Sequence, residues 1–134
     1  MDHERAERIS RRFITFLETG EADPELFTAD AFCDFTLPRW RLQAQGRADL
    51  VQLRLRGHPG PGRVPRSRCD PTPTGFVLEV EEEWEHDGRA WYCRELFRAD
   101  VRGDSISALA VYCTGDWDAP RRAEHAREVR LLQP

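Results

Sequence analysis

The chain has 134 residues, a mass of 15.6 kDa and a formal net charge of −4, with 40% hydrophobic and 33% charged residues. This length accommodates one domain, residues 1–134, and the apolar fraction is too high for a disordered protein. The acidic balance argues against nucleic acid or an anionic membrane surface as a partner. No apolar run approaches the roughly 20 residues of a membrane-spanning helix, and no export signal opens the chain, so we expect a cytoplasmic protein.

The use of basic residues and of cysteine is unusual. All 20 basic residues are arginine, and lysine and asparagine are absent, which indicates a genome rich in G and C and a bacterial, actinobacterial source. Cys33, Cys69, Cys93 and Cys113 form no C-x-x-C pair, and no histidine stands at the spacing of metal ligands. We therefore expect four reduced thiols and neither a metal nor a cofactor.

The first half of the chain is predicted to be mainly helical. Apolar residues recur at helical spacing in two segments, and a proline after an aspartate indicates a short helix between them. The predicted elements are helices over 4–17, 24–27 and 48–56, a strand over 31–37, and an irregular connection over 57–75 with a short edge strand around 66–70. Thr19-Gly20 supplies the stop of the first helix, and Gly46 precedes the third.

The second half reads as an antiparallel meander. Runs 76–85, 90–102 and 105–114 are typical of strands, and Asp87-Gly88 and Gly103-Asp104 suit tight hairpin turns. Helices followed by such a meander predict an α+β domain with helices on one face of the sheet. Asp118, before Ala119-Pro120, is expected to be the N-cap of a tail helix.

Two-residue turns fix the register, so the cross-strand pairs can be written down. The first hairpin pairs Trp84 with Trp91, and Glu82 with Cys93. The second is predicted to pair Glu95 with Tyr112, Cys93 with Thr114, and Phe97 with Ala110. The apolar members of the common inward face are Phe76, Leu78, Val80, Trp84, Trp91, Phe97, Ala99, Val101, Ile106, Ala108 and Ala110.

The opposite, outer face mixes glutamates and arginines with Leu96, Leu109 and Val111. A charged rim around an apolar centre is typical of a dimerising sheet, and we expect a homodimer through it; a merely solvated face is the alternative. On this alternation Cys93 and Cys113 face opposite sides of the sheet and should not form a disulfide.

Polar groups interrupt the apolar inward face at Glu82, Glu95, Tyr112 and Thr114, with Cys93 among them. Burying an unpaired carboxylate is costly, so either the face opens into a cavity or these groups bond one another. In both cases apolar walls and a neighbouring like charge should raise the pKa of at least one glutamate.

The whole chain resembles the nuclear transport factor 2-like superfamily, in its SnoaL-like branch. The resemblance is carried by the order of elements, by the strand ending at Pro38, by Gly46 before a helix, and by the run Tyr112-Cys113-Thr114-Gly115-Asp116-Trp117-Asp118 with His125 in the tail. It implies a cone: a curved antiparallel sheet wrapped around N-terminal helices (a cystatin-like α+β barrel), with a pocket at its wide end. Family enzymes commonly use acidic residues and tyrosine facing the cone without a metal, and other members only bind ligands or partners.

The candidate catalytic residues are Glu95 as a general acid/base, Tyr112 as an oxyanion donor, and Glu82. For Glu95 and Tyr112 a purely structural hydrogen bond is the alternative, and for Glu82 a solvated place at the rim. The predicted substrate-binding residues are Trp40 at the pocket mouth, Trp84 and Trp91 as pocket wall or core, and Cys93, Phe97 and Thr114 on the inward face. Thiol nucleophilic catalysis by Cys93 is disfavoured, because neighbouring carboxylates raise its pKa. His58 and His125 have no visible partner and are expected at the surface.

The predicted function is that of a cofactor-independent acid/base enzyme for a small apolar organic substrate: an isomerase, cyclase, dehydratase or hydrolase of specialised metabolism. The alternative is a non-catalytic small-molecule-binding or partner protein on the same cone. An open cavity reached by Glu95 and Tyr112 would favour the enzyme, and a filled cone the binding protein.

Overall fold

A computed structural model describes all residues 1–134. The chain forms three helices and seven strands in an α+β arrangement. Their bounds are α1 His3–Thr19, β1 Phe27–Thr36, β2 Arg41–Gln45, α2 Arg47–Gly57, β3 Gly62–Pro71, β4 Gly75–His86, β5 Arg89–Arg102, β6 Ser105–Cys113, β7 Trp117–Asp118 and α3 Ala119–Glu128. None of the three helices combines the length and the apolar character needed to cross a membrane.

The strands form one curved, unclosed sheet in the order β2-β1-β6-β5-β4-β3, and β7 pairs with β5. The predicted α+β cone is confirmed, with one correction: β1 lies parallel to β6, so the sheet is mixed rather than wholly antiparallel. This pairing closes the core over α1, because Phe27 on β1 packs edge-on against both Phe13 and Phe16 of the helix.

Helix α1 has a defined cap at each end. The Asp2 side chain accepts a hydrogen bond from the Arg5 amide at 2.8 Å, and Gly20, with φ at 76°, donates from its amide to the Phe16 carbonyl. The buried face of the helix consists of Ala6, Ile9, Ser10, Phe13, Phe16 and Leu17. Asp118 caps α3 through a hydrogen bond from the Arg121 amide, as the sequence predicts.

Three predicted elements of the first half differ from the structure. Residues 24–26 form a turn rather than a helix, and β1 begins at Phe27. The connection before α2 contains a strand, β2, that pairs antiparallel with β1. The proline-rich segment holds a ten-residue edge strand, β3, because an irregularity between Arg63 and Arg66 accommodates Pro65 without interrupting the pairing with β4.

The first predicted hairpin is correct at every pair, including Trp84 with Trp91 and Glu82 with Cys93. The second is correct at Val101 with Ile106, but its register then shifts by one residue. Asp100 pairs with Ala108, which leaves Ser107 as the extra residue of a β-bulge. Beyond a one-residue shift every side chain of the strand points to the opposite face.

The bulge exchanges the two faces of β6. Leu109 and Val111 are buried, where the sequence predicted the smaller Ala108 and Ala110. Each larger aliphatic side chain that leaves water contributes about 1.5–3 kcal/mol, and this gain favours the bulged register. The two aliphatic residues are therefore absent from the outer face on which the predicted dimer rested.

Candidate functional site

Glu82 on β4 and Glu95 on β5 meet on the inward face, and both are buried. A residue of α2 that the sequence interpretation missed holds them together: Arg54, whose side chain is 11% exposed. Its Nη1 donates to Oε2 of Glu82 at 3.1 Å and to Oε1 of Glu95 at 3.4 Å, and its Nη2 donates to Oε1 of Glu82. One guanidinium therefore bridges two carboxyl groups.

The pKa values of the two carboxyl groups are displaced in opposite directions. Burial, together with the charge of Glu82, raises the pKa of Glu95 well above its usual range. Burial also acts to raise the pKa of Glu82, but the hydrogen bond from Glu95 and the charge of Arg54 outweigh it and lower that pKa. Between its two titration steps the pair therefore holds one proton, on Glu95, and one negative charge, on Glu82.

His58 completes the cluster from the end of α2. The residue is 9% exposed, and its ring stacks on the indole of Trp84 with centroids 4.1 Å apart. Its Nδ1 lies 3.6 Å from Oε2 of Glu82, and its Nε2 lies 3.5 Å from Oδ1 of Asp116, a half-exposed residue after β6. The expected surface position of His58 is wrong, because the helix end carries the ring inward.

Two buried polar atoms of this cluster have no hydrogen-bond partner: Nδ1 of His58 and Oε2 of Glu95. Unsatisfied buried groups are rare in folded proteins and concentrate at functional sites. The one signal in the sequence is the spacing of four that relates Leu50, Arg54 and His58, along α2 and into the residue that follows it. This spacing groups the three residues but does not show what they face.

Cys93 lies between the two carboxyl groups. Its Sγ is 3.7 Å from Oε2 of Glu82 and 3.6 Å from Oε1 of Glu95. Donor atoms of His58 lie within 4.8 Å of these three groups, a spacing that a metal ion could use. The guanidinium of Arg54 already supplies positive charge to both carboxyl groups.

The structure brings together only part of the predicted site. Glu82, Glu95, Cys93 and Trp84 are neighbours, and Trp91 is half-buried opposite Trp84. Phe97 lies in the core with its ring edge-on to Phe13.

Three predicted site residues lie elsewhere. Tyr112 is 58% exposed on the outer face opposite Leu96, so its predicted pairing with Glu95 is wrong; the bulge puts Cys113 in that place. Thr114 is exposed, and its Oγ1 accepts a hydrogen bond from the Arg94 amide. Trp40 is 68% exposed in the turn between β1 and β2.

An apolar cavity lies beside Arg54, between the helices and the sheet, and the acid pair, Glu82 and Glu95, does not line it. Its walls come from α1, α2, β1, β5 and β6, and Arg54 is the one polar residue among them. The cavity volume is about 30 Å³, which is about the space of one water molecule. A larger groove of about 580 Å³ crosses the outer face beneath the C-terminal tail, and it includes neither Glu82 nor Glu95.

No family model matches the chain, and no curated protein matches it. Similar solved structures do exist. A nuclear transport factor 2-like protein from Anabaena variabilis is 23% identical, with a TM-score of 0.69 over 87% of this chain and 96% of that one. SalBIII, described as an epoxide hydrolase/cyclase-like enzyme in pyran ring formation, is 13% identical, with a TM-score of 0.67 over 87% and 98%.

A third similar structure is a protein with a ketosteroid isomerase-like fold from Catenulispora acidiphila, in complex with trimethylamine. It is 14% identical, with a TM-score of 0.63 over 79% of this chain and 85% of that one. Identities at this level establish the architecture and leave the chemistry to the site itself. The chain has the nuclear transport factor 2-like fold.

Proposed function

We propose that the chain is a cofactor-independent acid/base enzyme acting on a small apolar organic substrate. The observation that carries the proposal is a buried pair of carboxyl groups bridged by one guanidinium, an arrangement that raises the pKa of Glu95 and lowers that of Glu82. Environments that push two titrating groups apart assign an acid and a base within one site. Isomerisation, cyclisation, dehydration and hydrolysis are the reaction classes that need only a general acid and a general base.

In this proposal Glu95 is the general acid and Glu82 the general base. Glu95, whose pKa is raised, holds the proton that it can donate to a substrate oxygen, while Glu82, whose pKa is lowered, can accept a proton from carbon or from water. Arg54 is a positioning residue, because its guanidinium fixes the separation of the two carboxyl groups and stabilises the charge of Glu82.

His58 and Asp116 provide a path for protons between this pair and solvent. The two nitrogens of the imidazole lie 3.6 Å and 3.5 Å from the carboxylates of Glu82 and Asp116 respectively. An imidazole can accept a proton on one nitrogen and release one from the other. Such a path would restore the protonation state of a buried pair after each turnover.

The substrate is proposed to be small and apolar because the cavity beside Arg54 is lined almost wholly by hydrocarbon. Phe97 would contact it from β5, whereas Cys93 and Trp84 lie outside this cavity, beside the two glutamates and His58 respectively. The likeness to SalBIII and to the trimethylamine complex supports the choice of a small organic molecule, in line with the SnoaL-like branch and with specialised metabolism.

A non-catalytic binding or partner protein is the second candidate, and the cavity volume favours it. About 30 Å³ cannot hold an organic molecule unless side chains or α2 move. In that role the Arg54 cluster would be a structural bridge between helix and sheet, and Glu95→Gln would leave ligand binding unchanged.

The experiment that tests the enzyme is a turnover screen with small epoxides and unsaturated ketones. Any activity found should fall by roughly 100-fold or more in Glu95→Gln, since the amide keeps the shape and removes the acid. Glu79→Gln on the outer face is the matched control, because Glu79 pairs with Arg94 at the surface. Activity that survives Glu95→Gln would contradict the proposal.

We also propose a homodimer through the outer face of the sheet. Leu96 and Tyr112 are opposite each other there and exposed by 38% and 58%. Contact with a second copy would remove both side chains from water, and contiguous exposed apolar surface of this kind marks interaction sites where it is large.

A further inference from the structure

A pair of cysteines adjoins the acid pair and is not used by the proposed chemistry. Sγ of Cys93, Sγ of Cys113 and the carboxylate of Asp116 all lie within 4.8 Å of one another. The sequence predicts the two cysteines on opposite faces of the sheet. This prediction is wrong because of the bulge at Ser107, which also displaces Tyr112 from its predicted place. The bulge turns the end of β6 over and points Cys113 inward beside Glu95.

We propose that Cys93 and Cys113 form a reversible disulfide when the protein meets a peroxide. The pair would be a modification site of the fold, independent of whether the acid pair is catalytic. Both cysteines are thiols in the structure, as are Cys33 and Cys69.

The position of Cys113 suits it to react before Cys93. Cys113 is partly exposed and ends β6, whereas Cys93 is fully buried in the middle of β5. The Gly115 amide donates to Sγ of Cys113 at 3.4 Å. The hydrogen bond from Cys93 and then that amide lower the pKa of Cys113, while the same thiol–thiol bond and burial raise the pKa of Cys93. The thiolate is the nucleophile in such reactions.

The reaction has two balanced steps. The Cys113 thiolate attacks one peroxide oxygen, the O–O bond breaks, and the leaving hydroxide takes up a proton, which gives a sulfenic acid and one water. The Cys93 sulfur then attacks the Cys113 sulfur and the S–O bond breaks. Hydroxide leaves and forms the second water with the proton of Cys93. Two thiols lose two electrons, and the peroxide gains them.

Glu82 assists the second step. Its Oε2 is 3.7 Å from Sγ of Cys93 and is the nearest charged acceptor for the thiol proton. Closing the bond requires the sulfur atoms to approach from within 4.8 Å to about 2.05 Å. The required movement falls at the end of β6, where Gly115 adopts φ at 80° and Thr114 makes the last backbone bond to Arg94.

Trypsin separates the four cysteines, because each lies in a different peptide between arginines. The cysteine-containing peptides are residues 13–39 with Cys33, 69–89 with Cys69, 90–94 with Cys93 and 103–121 with Cys113. A Cys93–Cys113 disulfide therefore appears as one cross-linked mass, which dithiothreitol resolves into two.

The experiment treats the folded full chain with hydrogen peroxide, blocks the remaining thiols after denaturation, and maps the digest. We expect the thiol count to fall from four to two and the peptides 90–94 and 103–121 to be joined. Four thiols after treatment, a sulfinic acid on Cys113 without cross-link, or a disulfide between two chains would each overturn the proposal.

Variants separate the roles of the two cysteines. Cys93→Ser should leave a sulfenic acid on Cys113 that a dimedone probe labels, and Cys113→Ser should leave Cys93 unmodified. Cys69→Ser is the control and should form the disulfide as the wild type does. Peptide mapping needs no turnover, so failure of the disulfide and failure of the proposed enzyme are observed separately.

Discussion

The guanidinium of Arg54 donates to both oxygens of Glu82, although the two residues lie on a helix and a strand 28 positions apart in the chain. This ion pair joins α2 to the sheet through the centre of the molecule. A buried charge left without its partner is costly, so the relationship has measurable consequences for stability.

Arg54→Met should lower the free energy of unfolding by about 3–5 kcal/mol at pH 7, because it leaves the charge of Glu82 buried and unpaired. The loss should shrink as the pH falls and Glu82 takes up a proton. Urea unfolding at several pH values measures both effects. Arg56→Met, on an exposed part of the same helix, should change stability little. An equal loss in both variants would refute the role of the ion pair.

Glu95→Gln should remove a pH dependence of stability. The pKa of Glu95 is higher in the folded than in the unfolded protein, so proton binding by Glu95 stabilises the fold. This stabilisation is fully present below the unfolded pKa and is lost as the pH rises through the folded pKa. The loss in the wild type amounts to at most about 1.4 kcal/mol per pH unit. The lowered pKa of Glu82 acts in the opposite sense and costs stability on acidification. As the pH rises above the unfolded pKa of Glu95, we expect the free energy of unfolding of the variant to increase relative to that of the wild type, measured by denaturant unfolding. A difference that stays constant with pH would contradict the raised pKa.

His58→Phe should retain more stability than His58→Ala. The phenyl ring can keep the stacking on Trp84, and stacked rings contribute about 0.5–1.5 kcal/mol beyond their buried area. Thermal melts of the two variants, with His86→Ala in the exposed hairpin as control, measure the difference. If His58→Phe also loses any turnover found, the nitrogens matter for proton transfer as well as the ring. Equal stability of the two variants would mean that the stacking contributes nothing.

Deleting Ser107 should leave the protein folded, with Leu109 and Val111 still buried. Ser107 is the extra residue of the bulge, so its removal makes the pairs Val101 with Ile106 and Asp100 with Ala108 consecutive and keeps the register beyond them. Ser107→Ala removes only the hydrogen bond from its hydroxyl to the Asp100 carbonyl and serves as the control. Circular dichroism and urea unfolding give the comparison. A deletion that unfolds the protein while Ser107→Ala does not would show that Ser107 does more than shift the register.

Leu96→Glu should convert the proposed dimer to a monomer. A charge in the centre of the outer-face contact would be desolvated without a partner. Sedimentation at high micromolar concentration distinguishes the two states. Leu132→Glu in the exposed tail is the control for the added charge. A monomeric wild type would refute the interface.

The sequence is informative where local rules decide the structure. The turn at Asp87-Gly88 defines every pair of its hairpin, and this places Glu82 beside Cys93 and near Glu95. The turn at Gly103-Asp104 defines only the first pairs of the next one, because no turn residue marks the bulge at Ser107. The signal that does mark it is side-chain size: Leu109 and Val111 gain more from burial than Ala108 and Ala110.

The partner of the acid pair was harder to find in the sequence. Two buried glutamates demand a cation, but the 20 arginines are spread over the chain, and alternation within a sheet says nothing about which helix covers it. Only the packing of α2 over β1 selects Arg54 and brings His58 with it. The apolar residues from which this helix is predicted, such as Leu53 and Leu55, point in other directions around the helix axis than Arg54 does.

The ion pair between Arg54 on α2 and Glu82 on β4 also links the shape of the cavity to proton uptake. A ligand larger than one water enters the space beside Arg54 only if the helix side of the cavity yields, and such a movement draws the guanidinium away from Glu82. Glu82 without its counter-ion binds a proton more tightly, so the opened state takes up protons more readily than the closed state. Acidification would therefore favour admission of the ligand, and each ligand bound would withdraw protons from the buffer.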